Sequence, residues 1–209
     1  MKVGYLSVAV VLGAACGATG PAKKAANDGS RTGLCSHVRW PGEPSPAWAW
    51  EDVVNALGPN APEREPCAPV EDCREIYVVE SPDGMGSRTL VTPAPGGFHL
   101  YREAFDAGSG FACEWAPETT TAVVGPWVVV RHSGYGYERT EQECDGLGFF
   151  TQIALVGADS GRVEALFICS DSEHAILTTG NADDQLTLSD CGGDTVTFTL
   201  VELEACGVP

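Results

Sequence analysis

Cysteine is the residue type whose chemistry this chain offers most often. Nine cysteines occur in 209 residues. After Cys16, the remaining eight are Cys35, Cys67, Cys73, Cys113, Cys144, Cys169, Cys191 and Cys206. Zinc sites favour closely spaced pairs such as Cys-x-x-Cys, and none is present: the closest pair, Cys67 and Cys73, is six residues apart. This even set therefore predicts up to four structural disulfides in an exported protein, and no metal site or other cofactor.

A basic and aromatic segment, RHSGYGYER, runs from Arg131 to Arg139 on an otherwise acidic chain. Arginine and tyrosine on an adaptable, glycine-containing loop are typical anchors of recognition surfaces. The candidate binding residues are Arg131, His132, Tyr135, Tyr137 and Arg139. The alternative is a hairpin loop whose tyrosines pack back on a sheet and whose arginines pair with nearby glutamates.

The sequence contains no recognisable catalytic set. It has no Gly-x-Ser-x-Gly elbow, phosphate-binding loop, dinucleotide fingerprint or His-Glu-x-x-His helix. His132 and Ser133 are adjacent, and His174 lies near Asp171 and Glu173, but catalysis depends on geometry that adjacency does not supply. We expect no catalytic residue, and an exported hydrolase without a local motif remains the alternative.

Two further ligand types deserve comparison with simpler explanations. Acidic loops offer oxygen ligands for Ca²⁺, but none of them has EF-hand spacing. Trp40, Trp48 and Trp50 could stack on a sugar ring, as in a carbohydrate-binding module. Burial of the three indoles under a cap explains them more simply and is the preferred interpretation, with the carbohydrate-binding module as the alternative.

Strand-like segments separated by turn signals occupy most of the chain after Cys73. The strands are predicted at residues 75–80, 88–92, 98–102, 122–131, 149–156, 162–170, 175–179, 185–189 and 195–203. With no helices between them, they favour a mainly β fold, an antiparallel β-sandwich or barrel, with the sandwich preferred. Residues 128–130 and 149–156 are apolar on both faces and should lie centrally.

Residues 34–72 are rich in proline and tryptophan and predict a small cap on the β-domain of residues 73–209. A short helix is expected over 47–57, because Trp50, Val53, Val54 and Leu57 recur at helical spacing before Gly58-Pro59. We expect Cys35 and Cys67 to fasten this cap.

The first 17 residues have the layout of an export signal. Lys2 precedes an apolar run that is too short to span a bilayer, and small residues lead to Cys16 in the order Leu12-Gly13-Ala14-Ala15-Cys16. This segment resembles a bacterial lipoprotein signal, although Gly13 stands where that family usually has leucine. The resemblance implies that residues 1–15 are a signal peptide and that Cys16 is lipidated. Residues 17–33 contain no large apolar side chain and are rich in small and polar residues, so residues 16–33 are predicted to be the lipidated cysteine and its flexible tether. Ordinary cleavage near Ala18, giving a secreted protein, is the alternative.

The formal net charge is −17. Such a surface repels nucleic acid and anionic lipid head groups, so a nucleic-acid partner is not expected. We therefore predict a bacterial cell-envelope lipoprotein, held to the membrane by its N-terminal lipid on the periplasmic or cell-surface side. Its disulfide-bonded β-domain would be a non-catalytic binding or surface-structural module for an envelope or extracellular ligand.

Overall fold

The computed structural model describes residues 28–64, 75–80, 87–105, 111–139, 144–170, 172–182 and 184–206. Within these ranges, residues 28–32, 111–117 and 136–147 are described by their backbone alone. The predicted signal peptide (residues 1–15), Cys16, most of the predicted tether, Cys67 and Cys73 lie outside the described residues.

Strands dominate the described chain, and three short helices accompany them. The helices are α1 (Asp28–His37), α2 (Trp50–Leu57) and α3 (Leu200–Glu204), and a 3-10 turn, Gly58–Asn60, follows α2. The strands are β1 (Val38–Arg39), β2 (Tyr77–Glu80), β3 (Arg88–Ala94), β4 (Gly97–Phe105), β5 (Phe111–Val124), β6 (Trp127–Arg139), β7 (Cys144–Gly157), β8 (Val163–Ser170), β9 (Ile176–Thr179), β10 (Gln185–Cys191) and β11 (Asp194–Thr199). The predictions of a mainly β fold with antiparallel sheets and disulfides are confirmed.

The central layer is a five-stranded antiparallel sheet in the order β1-β8-β7-β6-β5. Its strands β6 and β7 are apolar on both faces. Val128, Val130, Ala154 and Val156 enter one hydrophobic cluster, and Val129, Ile153 and Leu155 enter another. The predicted central position of residues 128–130 is therefore confirmed, and β7 provides the other central strand.

A three-stranded sheet covers each face of the central layer. The sheet β11-β10-β9 buries Leu177, Leu186, Leu188 and Phe198 against one face. The sheet β2-β3-β4 packs Leu90, Tyr101 and Phe105 against the other. The result is a sandwich of three β layers, in which two open sheets enclose a third.

Helix α2 covers the outer face of the β2-β3-β4 sheet. Its residues Val53 and Leu57 are buried against Val91, Phe98 and Leu100. The helical spacing of these residues in the sequence is thus explained by one apolar face, and Val54 at its margin is 36% exposed. The predicted helix is present but begins at Trp50 instead of Ala47.

The two ends of the described chain meet at one edge of the molecule. Strand β1 pairs with β8, matching Val38 with Phe167, and Cys35 of α1 forms a disulfide with Cys206 just after α3. Part of the predicted cap is therefore an edge strand of the central sheet, and its first cysteine is bonded to the C-terminal end. Helix α1 also begins at Asp28, inside the segment predicted as a flexible tether.

Two predicted strands are divided differently in the structure. The segment 122–131 is a hairpin, because Gly125 at φ 59° turns the chain between β5 and β6. The segment 195–203 ends as a strand at Thr199, whose side chain and Glu202 form a capping box that starts α3. In both segments, a turn or capping residue inside an apolar run ends the strand earlier than the apolar pattern predicts.

The described helices include none with the length and apolar character needed to cross a bilayer.

Gly161 allows the turn between β7 and β8 to lie in close contact with strand β3 of the β2–β4 sheet. Its φ is +66°, and a Cβ there would overlap the carbonyl oxygen of Pro93. We expect Gly161→Ala to lower the free energy of unfolding by more than about 2 kcal/mol, as measured by urea denaturation. Gly96→Ala is the matched control, because Gly96 also has positive φ but faces open space, and its cost should stay near 1 kcal/mol. Equal losses in both variants would contradict the steric explanation.

The Cys35–Cys206 bond closes a loop with a sequence separation of 171 residues. Loop-closure entropy predicts that removing it lowers the free energy of unfolding by about 5 kcal/mol. Because either substitution breaks the same bond, Cys35→Ala, Cys206→Ala and the double variant should lose similar amounts under non-reducing denaturation. Small losses that add in the double variant would show that the bond contributes little.

Candidate functional site

The segment predicted as a binding loop is the C-terminal part of strand β6, from Arg131 to Arg139. It pairs with β5 on one side and β7 on the other, so its side chains alternate between the two faces of the central sheet. Arg131 and Tyr135 lie on one face and His132 on the other. Tyr137 and Arg139 are strand residues whose side chains lie outside the described set. The prediction of a glycine-hinged loop is therefore wrong, because a long antiparallel ladder continues through Gly134 and Gly136.

Arg131 ties the central sheet to the segment before β9. Its Nε atom donates to the carbonyl oxygen of Ala175 at 3.0 Å, and its Nη2 atom donates to the carbonyl oxygen of Glu173. Both acceptors are main-chain groups of this protein, so the guanidinium serves the fold. Tyr135, by contrast, is 46% exposed.

His132 is buried between the central sheet and β4. Its ring stacks on Phe105 at 5.3 Å and meets Phe150 edge-on at 5.8 Å. Its Nδ1 atom lies 2.9 Å from Thr119 Oγ1, whereas its buried Nε2 atom has no hydrogen-bond partner. Burial, with the positive charge of Arg88 as a smaller cause, lowers the pKa of His132 from 6.5 to about 4. The imidazole is therefore neutral at pH 7.

The described side chains around His132 do not form a hydrolytic site. Thr119 supplies a hydroxyl, but the charged neighbour is Arg88, which lies 3.6 Å from Glu80. A base with a pKa near 4 is poorly matched to proton transfer at neutral pH. The other candidate, His174, has a largely exposed side chain 3.7 Å from Glu173.

The three neighbouring tryptophans do not form one stacking platform. Trp40 packs against the core between the central sheet and β9–β11. Trp50 packs on the β2–β4 sheet, where its ring centroid lies 5.1 Å from that of Phe98 and 5.3 Å from that of Tyr77. Only Trp48 lines a described surface groove.

This groove lies between α2 and β4 and is called here the α2–β4 groove. Its volume is about 520 Å³ and it is open to solvent. Its lining consists of Ala47, Trp48, Asp52, Asn55, Ala56 and Arg102. The groove thus combines one aromatic ring with a carboxylate, an amide and a guanidinium.

Main-chain pairing fixes Trp48 at the groove. An isolated antiparallel bridge joins it to Phe98: Trp48 N donates to Phe98 O at an N···O distance of 2.8 Å, and Phe98 N donates to Trp48 O at 2.9 Å. Gly97 permits this approach, because a Cβ at that position would overlap the carbonyl oxygen of Trp48. The Trp48 backbone is consequently held like a strand residue at the margin of β4.

Helical and strand periodicity place the three polar groups. Asp52 and Asn55 are three residues apart on α2, on the side away from buried Val53. Arg102 continues the row begun by Phe98 and Leu100 on the α2-facing side of β4. In the described part of the chain, the side chains of Asp52, Asn55 and Arg102 make no hydrogen bond or ion pair. They are therefore available to a ligand.

Four of the predicted disulfide cysteines are paired, as Cys35–Cys206 and Cys169–Cys191. Cys113 and Cys144 lie in β5 and β7 with their side chains outside the described set. Among the described residues, no group of three or more His, Cys, Asp or Glu side chains could hold a metal ion.

Comparisons with protein-family models, curated proteins and solved structures found no match.

The sequence analysis did not identify the polar residues of the groove as candidate binding residues. Asp52 and Asn55 were visible as the outward face of a predicted helix, and Arg102 ended a predicted strand. The sequence does not indicate that α2 lies beside β4, because α2 ends at Leu57, β4 begins only at Gly97, and no motif links the two segments.

Burial of His132 should make stability depend on pH. Its folded pKa of about 4 lies below the ordinary 6.5, so the unfolded chain binds the proton more tightly. The resulting stabilisation is complete above pH 6.5 and is lost as the pH falls towards 4, to a total of about 3 kcal/mol. Urea denaturation between pH 7.5 and 4 should therefore show a weaker pH dependence for His132→Gln than for the wild type.

His174→Gln is the matched control for this measurement, because His174 is exposed and its replacement should leave the wild-type pH dependence intact. Identical pH profiles for His132→Gln and the wild type would contradict the assignment.

Proposed function

We propose that this protein is an exported, lipid-anchored protein of the bacterial cell envelope. Its β-domain acts as a non-catalytic binding module. The signal-like segment that ends at Cys16 supports the anchor, and the open α2–β4 groove supports binding.

The disulfides are the observation that best supports export. Such bonds persist in oxidising compartments and are rare in the reducing cytosol. The Cys169–Cys191 bond is inside the core, where both residues are buried, and Cys35–Cys206 joins the two ends of the described chain. Both bonds therefore form part of the folded architecture.

The polar groups described above favour binding over catalysis. The most perturbed histidine is enclosed by Phe105 and Phe150 and has a cation as its charged neighbour. The open groove instead presents, beside an aromatic ring, polar side chains that have no partner within the described part of the chain. Such convergence of a few polar groups in a concave surface is typical of small-ligand sites.

Replacement of the proposed lipid attachment residue tests the anchor. Full-length protein expressed with its own signal in a bacterial host should partition into the detergent phase after Triton X-114 extraction. Cys16→Ser should move it to the aqueous phase, because the attached acyl chains would no longer be present. Thr19→Ala is the matched control and should remain in the detergent phase. Wild-type protein in the aqueous phase, or Cys16→Ser in the detergent phase, would refute the anchor.

A further inference from the structure

We propose that the α2–β4 groove binds a neutral saccharide. The inference rests on the proposed binding function and names the ligand class of its site. Its basis is the juxtaposition of Trp48 with Asp52, Asn55 and Arg102 around one open groove.

Trp48 supplies the apolar contact that a sugar ring requires. One face of a pyranose ring exposes mainly C–H groups, which pack favourably on an aromatic surface. The two main-chain hydrogen bonds to Phe98 hold Trp48 in place before a ligand arrives. Little backbone ordering is therefore needed on binding.

The polar lining matches the dual character of sugar hydroxyls. Each hydroxyl both donates and accepts, so neighbouring hydroxyls need acceptors and donors together. The Asp52 carboxylate accepts, the Arg102 guanidinium donates, and the Asn55 amide does both. The small side chains of Ala47 and Ala56 leave the space between these groups open.

Charge selects a neutral sugar over an acidic one. Asp52 and Arg102 carry opposite charges, so the charged groups of the groove sum to zero. The chain as a whole has a formal charge of −17, and its field opposes the approach of an anionic glycan.

A zwitterion such as a dipeptide is the competing ligand, since its two charged ends could pair with Asp52 and Arg102. Both residues are exposed, however, and exposed ion pairs are worth only about 0–1 kcal/mol. A saccharide gains from stacking and from several hydrogen bonds at once, and the open groove favours it.

The test uses full-length protein in a polyoxyethylene detergent, which contains no sugar head group. Cellobiose, maltose, lactose, N,N′-diacetylchitobiose and the dipeptide alanyl-alanine are titrated by calorimetry, with saturation-transfer NMR at up to about 10 mM for weak binding. At least one disaccharide should bind. Its affinity should fall about tenfold or more in Asp52→Ala, Arg102→Ala and Trp48→Ala.

Matched controls separate the groove from the rest of the surface. Glu51 lies beside Asp52 on α2, and Arg39 is an exposed arginine on β1; neither residue lines the groove. The variants Glu51→Ala and Arg39→Ala should therefore bind the saccharide as the wild type does. Trp48 also packs on the β2–β4 sheet, so its replacement could change the fold as well as the groove. Thermal unfolding of each variant therefore checks that it is folded. The inference is judged on Asp52→Ala and Arg102→Ala, because both of these residues are exposed.

Binding of none of the four disaccharides would overturn the inference. Binding of the dipeptide alone would overturn it, as would saccharide binding that Asp52→Ala and Arg102→Ala leave unchanged. Detergent partitioning of the wild type and of Cys16→Ser is independent of the groove. A failed saccharide test with intact partitioning therefore rejects the ligand class and leaves the anchor standing.

Discussion

The structure depends on a central sheet whose strands are apolar on both faces. Complete burial of a Val, Leu, Ile or Phe side chain contributes about 1.5–3 kcal/mol, and β6 and β7 carry such residues towards both sides. A sheet of this kind cannot leave either face in water. Two covering layers are required, and β2–β4 and β9–β11 provide them.

This constraint also explains the ends of the described chain. The outer edge of β8 is paired by the two-residue strand β1, and the adjoining helix α1 carries Leu34 into the core beneath β9–β11. The capping box at Thr199 turns the last strand into α3, which brings Cys206 to Cys35. Edge pairing, helix capping and one disulfide thus close the same side of the sandwich.

The polar residues divide between the layers in a way that separates structure from function. His132 lies between two β layers, where burial keeps it neutral and its neighbours are rings, a threonine and an arginine. The Arg131 guanidinium, on the opposite face, donates hydrogen bonds to main-chain carbonyl oxygens. The groove is built one layer further out, where α2 covers the β2–β4 sheet incompletely and leaves Asp52, Asn55 and Arg102 without hydrogen-bond or ion-pair partners among the described residues. The proposed ligand-binding site therefore lies on the solvent-facing side of the β2–β4 sheet.

Properties that come from local patterning could be predicted from the order of the residues. Apolar periodicity predicted α2 and most strands, two-sided apolar runs predicted the central position of residues 128–130, and the even set of cysteines agreed with the two observed bonds. Local patterning misassigned residues 131–139, because glycine and tyrosine suit a loop as well as a strand whose neighbours supply its hydrogen bonds. Three features could not be predicted in this way: the three-layer stacking, the partner of Cys35 and the contact between α2 and β4. Each of these depends on contacts between distant segments, and such contacts follow from how the layers pack rather than from any spacing along the chain.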